Sequence, residues 1–183
     1  MIPKLTKANI ELAEATFGVK LPASYVKVLE ERNGGYLKTD AVPVNCANDW
    51  AEDHIHLDEL YGIGQDEGIM ETEYLRNEWG ITKGDIIIIG GDGHAFVALD
   101  YEGTTTDPKV IHIDTDSSKV NVICDSFDAL LRIMYVAEDP DDDEMPHRID
   151  WKKKLKNVAT IVILLAVCGA IIYKGYMYIS DWL

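Results

Sequence analysis

The sequence has few cysteines and few basic residues. Its three cysteines are Cys46, Cys124 and Cys168, and no two have the C-x-x-C spacing. A disulfide framework is therefore not indicated, and a reducing compartment is the simpler expectation. Seventeen lysines and arginines stand against 32 aspartates and glutamates, a formal net charge of −15. This charge argues against nucleic acid as a direct partner, because its phosphates would be repelled.

The negative charge is confined to the first part of the chain. Residues 1–150 hold 12 basic and 31 acidic residues, a net charge of −19, whereas residues 151–183 hold five lysines and one aspartate, a net charge of +4. The chain therefore combines an acidic body with a small basic and apolar tail. A body of this length and apolar content can bury one core without disulfides or metals.

The tail contains the one long apolar run. Residues 158–173 (VATIVILLAVCGAIIY) carry no charge, and extension to residue 179 gives a 22-residue helix of about 33 Å. This length predicts a single transmembrane helix, although an apolar helix buried in a core is the alternative. Lysines precede the run and one lies near its far end, namely Lys152, Lys153, Lys154, Lys156 and Lys174. The lysine bias places the body in the cytoplasm and the protein in the cell membrane.

These features divide the chain into five segments. We expect a globular domain over residues 1–136, an acidic linker over 137–150, a basic juxtamembrane segment over 151–157, the transmembrane helix over 158–179 and a short tail over 180–183. The linker contains like charges and two prolines, which oppose both helix formation and packing.

Hydrophobic periodicity predicts the elements of the body. Helices are expected over residues 6–17, 22–32, 69–79 and 126–136, and strands over 36–44, 55–60, 85–89, 95–101, 109–113 and 119–124. The side chains expected to face inward are Leu5, Ala8, Leu12 and Ala15 in the first helix, Tyr25, Val28 and Leu29 in the second, Met70, Tyr74 and Leu75 in the third, and Phe127, Leu130, Leu131, Met134 and Tyr135 in the last. The pattern predicts a mixed α+β fold with an antiparallel-rich sheet and flanking helices, and residues 85–89 as a central strand buried on both faces.

Several short segments in the body resemble one known family. They are residues 17–25 (FGVKLPASY), 33–36 (NGGY), 62–64 (GIG), 79–81 (WGI), 90–94 (GGDGH), 97–101 (VALDY), 110–114 (VIHID) and 125–127 (DSF). In this order, over about residues 6–136, they resemble the SMI1/KNR4 (SUKH) superfamily.

That resemblance implies a mixed α+β fold with no shared catalytic constellation. It also implies a function, since bacterial members are mainly immunity proteins that bind and neutralise a cognate toxin, often a nuclease. Fungal members act as scaffolds in cell-wall signalling. The predicted membrane anchor departs from the usual soluble member.

The residues that could carry chemistry have simpler interpretations. The loop at residues 90–94 lacks the Lys-Ser/Thr and the following helix of a phosphate-binding loop, so a turn between strands is favoured. His54, His56 and Asp58, with His94 and His112 elsewhere, could offer metal ligands, but their spacing does not require them to converge. No nucleophile lies in a recognisable elbow. We therefore expect neither an enzyme nor a cofactor or bound metal.

Two groups of acidic and aromatic residues are candidates for a partner-binding surface. The first comprises Asp49, Trp50, Glu52, Asp53, Asp58, Glu59 and Tyr61, and the second comprises Asp92, Asp100, Tyr101 and Glu102. A solvated charged face is the alternative to a functional role. As a functional surface, they would imitate a polyanion and occupy the groove of a basic protein, with the aromatic residues as anchors.

Three hypotheses for function follow. The leading one is an immunity protein that binds a basic toxin at the cytoplasmic face of the membrane, with the C-terminal helix in the lipid bilayer. The second is a membrane-tethered scaffold or regulatory domain with a non-toxin partner, and the third is a hydrolase that uses the histidines.

Overall fold

The computed structural model describes residues 2–44 and 53–137, which lie within the first of two compact units, Met1–Ala137. No helix in these two ranges is long and apolar enough to cross a membrane. The predicted linker beyond residue 137, the juxtamembrane lysines, the transmembrane helix at 158–179 and the tail all lie outside the described residues.

The described part of the chain contains four α-helices and eight strands. The helices are α1 (Lys7–Phe17), α2 (Ala23–Glu31), α3 (Thr72–Glu78, preceded by a 3-10 turn at Ile69–Glu71) and α4 (Phe127–Ile133). The strands are β1 (Gly35–Tyr36), β2 (Ala41–Pro43), β3 (His54–His56), β4 (Glu59–Leu60), β5 (Ile86–Gly91), β6 (Ala95–Asp100), β7 (Lys109–Asp114) and β8 (Lys119–Cys124). Strands β5 to β8 form an antiparallel meander, and β1 pairs with β4 and β2 with β3. The mixed α+β prediction is confirmed.

The ends of the first helix agree with the prediction, but the face that it turns towards the core does not. Thr6 caps its N-terminus by accepting the Asn9 amide at 3.2 Å, and Gly18 ends it in the left-handed conformation at φ 69°. The stripe predicted through Ala8, Leu12 and Ala15 is wrong, because those side chains are exposed. The helix instead buries Ala13 and packs Ile10 and Phe17 against the core.

The two long strands predicted before residue 60 are each divided in two. Residues 37–40, which connect β1 to β2, are not part of either strand. Within this connection the Asp40 amide donates to Tyr135 O, and Asp40 O accepts the Leu57 amide. Backbone bonding also shortens the last helix, because Tyr135 exchanges two 3.0 Å hydrogen bonds with Ala41 and is extended. The helix therefore ends at Ile133 rather than at residue 136.

A side-chain hydrogen bond adds to these backbone bonds at the end of the described chain. The Ala137 amide, two residues beyond Tyr135, donates to Asp40 Oδ1 at 2.9 Å. The last residues of the first unit are thereby fixed to the start of β2.

In the third helix, Tyr74 departs from the predicted inward stripe and is exposed.

Strand β5 is buried on both faces, as predicted, but it lies at one edge of the four-stranded sheet. Ile87 and Ile89 face the main core beneath the helices, whereas Ile86 and Ile88 face a second, smaller core. The outer edge of β5 is covered, since Ile88 N–H donates to Thr72 Oγ1 at 3.1 Å and Tyr61 N–H donates to Ile89 O at 2.7 Å. These bonds explain how an edge strand can be so apolar.

His112 on β7 is a buried polar residue without a partner in the described ranges. Its side chain is 2% exposed, and neither ring nitrogen has a hydrogen bond there. Burial lowers the pKa of His112, against a smaller opposing effect from the Asp114 carboxylate. The folded domain therefore favours the neutral imidazole.

This burial predicts a loss of stability in mild acid. Below the unfolded-state pKa of about 6.5, the unfolded chain binds a proton that the folded chain resists, so the free energy of unfolding falls as pH decreases. The loss from this residue is limited to about 1.4 kcal/mol per pH unit. Urea unfolding should therefore show a smaller decrease between neutral pH and about pH 5 for His112→Leu than for the parent chain. An equal decrease in both proteins would contradict the assignment.

Candidate functional site

A groove forms where two glycine-containing segments of the sequence meet. Asn33 joins them, because its side-chain amide donates to Ile63 O at 3.0 Å and its Oδ1 accepts the Ile63 amide at 2.8 Å. The same Nδ2 also donates to Pro3 O at 2.7 Å. One asparagine side chain thus fixes three backbone segments.

Glycine is required on the floor of this junction. A Cβ atom at Gly62 would lie 2.6 Å from the Asn33 carbonyl oxygen, and one at Gly68 would lie 2.2 Å from the Gly62 carbonyl oxygen. Gly68 also has a φ of 70°, which favours glycine. The segments 33–36 and 62–64, separated in sequence, therefore become neighbouring backbones.

The groove above this floor has a volume of about 600 Å³ and an acidic rim. Five exposed glutamates line it, namely Glu30, Glu31, Glu59, Glu67 and Glu71. Glu71 Oε2 accepts the Gly68 amide at 3.1 Å, whereas the other four take part in no ion pair within the described residues. Lys4 and Arg32 are the basic residues of the lining. The acidic side chains outnumber them, so the groove favours positively charged groups.

One aromatic side chain stands at the groove without being buried in the domain. Tyr36 is 70% exposed and lies directly across the β1–β4 pair from Glu59. Adjacent aromatic and acidic side chains of this kind can contact the stem and the charged head of a lysine or arginine.

Tyr61, by contrast, lines the groove from a half-buried position. Its hydroxyl donates to Gly91 O at 2.8 Å, and its own carbonyl accepts the Tyr25 hydroxyl. Burial raises the pKa of Tyr61 to about 12, and the carboxylates of Glu59, Glu71, Asp92 and Asp58 add to the rise. The phenol is therefore neutral at physiological pH and acts as a hydrogen-bond donor within the fold.

The structure brings together part of the predicted partner-binding set. Asp58, Glu59 and Asp92 all act electrostatically on Tyr61, although Asp92 also accepts the amides of His94 and Ala95 and so shapes its turn. Asp53 is exposed and lies 2.9 Å from the His54 ring. Asp49, Trp50 and Glu52 lie outside the described residues, as do Lys152, Lys153, Lys154, Lys156 and Lys174.

The remaining predicted residues, Asp100, Tyr101 and Glu102, are occupied by contacts within the domain. Lys83 Nζ lies 3.2 Å from Asp100 Oδ2 and 2.7 Å from Glu102 Oε2. The hydrogen bond from Lys83 lowers the pKa of the Glu102 carboxyl. Tyr101 is buried, and its hydroxyl donates to Lys20 O at 2.9 Å. Tyr101 therefore serves the core, and the two carboxylates are partly neutralised.

The histidines do not form a metal centre in the part of the chain that the structure describes. No group of three or more His, Cys, Asp or Glu side chains there is arranged so that it could hold a metal ion. The His54 and His56 rings lie 6.1 Å apart on β3, and His94 lies 3.2 Å from Asp116. Cys124, the one cysteine within these ranges, is a free thiol.

A second groove of about 680 Å³ lies between the end of α1 and α3. Its charged lining residues are Glu73, Arg76 and Asp85, and Arg76 is engaged with Glu73 at 2.8 Å. The first groove has five acidic and two basic side chains in its lining, against two acidic and one basic here, so the groove at Asn33 has the larger excess of negative charge and is the stronger candidate for binding a basic partner.

Sequence reasoning missed most of the groove's rim. Glu30, Glu31, Tyr36, Glu67 and Glu71 were not among the predicted site residues. One signal was available, because Glu30 and Glu31 lie at the C-terminal end of α2, where the helix dipole disfavours negative charge. Two carboxylates at a helix C-terminus oppose the helix dipole, which makes them candidates for a role other than stability.

Gly68 provides a test of the groove floor. Gly68→Ala should lose stability through both its positive φ and its clash with the Gly62 carbonyl, whereas Gly80→Ala has a similar φ of 65° and nothing within 4 Å of the added carbon. Each change costs about 1 kcal/mol for the backbone conformation. The clash should add about 1–3 kcal/mol at Gly68 alone. Urea unfolding of both variants measures the difference, and equal losses would show that the floor is not closely packed.

Comparison with known proteins agrees with the ordered signature segments. A comparison with curated proteins gives no match. The model of the SMI1 / KNR4 family (SUKH-1) matches residues 4–133, which covers α1 to α4 and every strand of the described fold. Because this match extends over most of the 183 residues, the chain belongs to the SMI1/KNR4 family (SUKH-1).

Proposed function

We propose that this protein is a non-enzymatic immunity protein that binds and neutralises a cognate bacterial toxin, in particular a nuclease. Membership of the SMI1/KNR4 family supports an immunity role. The observation that carries the proposal is the acidic groove at Asn33, whose rim presents four glutamates with no ion pair among the described residues, beside the exposed Tyr36.

The groove has the chemistry expected for a basic protein segment. Nucleases bind a polyanion through lysine and arginine, so a protein that presents carboxylates can occupy the same surface. Glu59 and Glu67 would pair with these basic side chains, and Tyr36 would pack against their apolar stems. Binding would block the toxin sterically and would require no covalent step.

The charge of the whole body would assist this encounter. Residues 1–150 carry a net charge of −19, which attracts a basic partner over several ångströms before contact. Electrostatic steering of this kind raises association rates and weakens with added salt. A rapid encounter suits an immunity protein, because the toxin must be captured before it reaches its substrate.

We further propose that residues 158–179 anchor the protein in the cell membrane with the body in the cytoplasm. The uncharged run at residues 158–173 and the preceding lysines support this topology. The anchor would concentrate the immunity protein where a toxin enters the cytoplasm.

Co-expression tests the function directly. Cells that produce the toxin encoded beside this gene should survive when they also produce the full chain, and the two purified proteins should form a stoichiometric complex. Cell death with no measurable complex would reject the immunity role.

Charge reversal tests the groove as the binding surface. The double variant Glu59→Lys with Glu67→Lys should weaken toxin binding by about tenfold or more, because it places positive charge against a basic partner. The matched control is Glu78→Lys with Asp107→Lys, which makes the same change in net charge at exposed positions outside the groove. Calorimetry at low and high salt should show a loss only for the groove variant. Equal losses in both variants would assign the effect to net charge instead of the groove.

Truncation tests the anchor. A chain that ends at residue 157 should move from the membrane fraction to the soluble fraction, whereas the full chain should resist extraction by high salt and alkaline carbonate. Recovery of the full chain in the soluble fraction would reject the anchor without affecting the toxin-binding proposal.

A further inference from the structure

The two edge strands of the four-stranded sheet, β5 and β8, differ in their hydrogen bonding to the rest of the domain. The outer edge of β5 is hydrogen-bonded to Thr72, which accepts the Ile88 amide, and to Tyr61, whose amide donates to Ile89 O. Strand β8 forms the opposite edge, and within residues 2–44 and 53–137 its only strand partner is β7. Among these residues no backbone hydrogen bond reaches the outer edge of β8, whose six residues span about 20 Å.

Apolar side chains continue onto this open edge. Val120 is 44% exposed and Val122 is 59% exposed. They lie directly across from Ile113 and Ile111, which are buried in the second core, so all four residues share one face of the sheet. The apolar layer therefore extends beyond its covered part.

The charge of β8 is unusual for this protein. Lys119 is its one charged residue and no residue of the strand is acidic, although the chain has a net charge of −15. Two copies would repel each other across most of their surfaces but not here. A basic toxin, in contrast, gains no charge pairing with this strand. The chemistry of the edge therefore favours a second copy of the chain.

We propose that β8 pairs antiparallel with β8 of a second copy, so that the two meanders form one eight-stranded sheet. The twofold axis would pass through Asn121. Val120 of each copy would then oppose Val122 of the other, which gathers four valines on one face. In this register Lys119 of each copy opposes Ile123 of the other and is a diagonal neighbour of Asp125, so each end of the interface brings one lysine towards one aspartate.

This register follows from the faces of the strand. A register centred on Val122 would place Val120 opposite Cys124, which packs towards the main core on the other face. A register centred on Val120 would place Val122 opposite Ser118, in the turn before the strand. Only the register centred on Asn121 opposes both valines with valines.

The interface is short, so association would be weak in dilute solution and stronger where copies are concentrated. Confinement by the proposed anchor would raise the effective concentration. The pairing itself does not depend on toxin binding, because β8 contributes no residue to the acidic groove.

Cross-linking of the full chain in mild detergent tests the pairing. Asn121→Cys is introduced after Cys46, Cys124 and Cys168 have been changed to serine, so that position 121 carries the only thiol. A short thiol-to-thiol cross-linker should join two copies into a species of about twice 20.5 kDa. Thr106→Cys in the same background is the control, since residue 106 is exposed in the loop before β7 and should remain monomeric.

A second variant separates this interface from any other. Val122→Lys should raise the dimer dissociation constant by about tenfold or more in sedimentation equilibrium, because it places two lysines within the valine cluster. Tyr74→Lys is the matched control, with an exposure of 61% against 59% for Val122, and should leave the constant unchanged. Circular dichroism verifies that both variants are folded.

Three outcomes would overturn the proposal. The first is a full chain that stays monomeric over a concentration series and gives no cross-link at position 121. The second is a dimer that is insensitive to Val122→Lys, which would lie at another surface. The third is a monomer in which Val122→Lys abolishes toxin binding, which would assign the edge to the toxin.

Discussion

The two-way hydrogen bonding between Asn33 and Ile63 is the constraint on which the candidate site depends. It holds the chain after α2 against the chain after β4, at a distance where only glycine fits between the two backbones. The Asn33 side chain also provides hydrogen-bond partners for the backbone amide and carbonyl of Ile63 and for the carbonyl of Pro3. The junction forms the floor of the groove. The positions of the acidic side chains on its rim therefore depend on this contact between the two backbones.

The regular part of the fold could be predicted because its pattern is local. Strands β5 to β8 and the helix caps at Thr6 and Gly18 are specified by apolar runs and turn residues next to them in sequence. The shortened last helix could not be predicted in this way, because its end depends on Tyr135 bonding to Ala41, almost a hundred residues earlier. Non-local backbone pairing leaves no periodic signal in the sequence.

The same distinction applies to the candidate site. Glu59 and Tyr61 were found because they are neighbours in an acidic and aromatic stretch, whereas Glu30 and Tyr36 enter the groove only once α2 and β4 are brought together. Conversely, Tyr101 is an aromatic residue next to two carboxylates in sequence, but it is buried in the main core and its hydroxyl donates to Lys20 O in the loop after α1. Residue type indicates which chemistry is available, and tertiary structure decides which side chains can offer it to a partner.

The bridge between Tyr135 and Ala41, with the bond from Ala137 to Asp40, also has a mechanical consequence. Tension applied to the chain beyond residue 137 would load these bonds, and the bond from the Asp40 amide to Tyr135 O, before it reached α4. The load would pass from these bonds into β2 and its antiparallel partner β3. A pull at the C-terminal end of the first unit would therefore be resisted first by the start of β2.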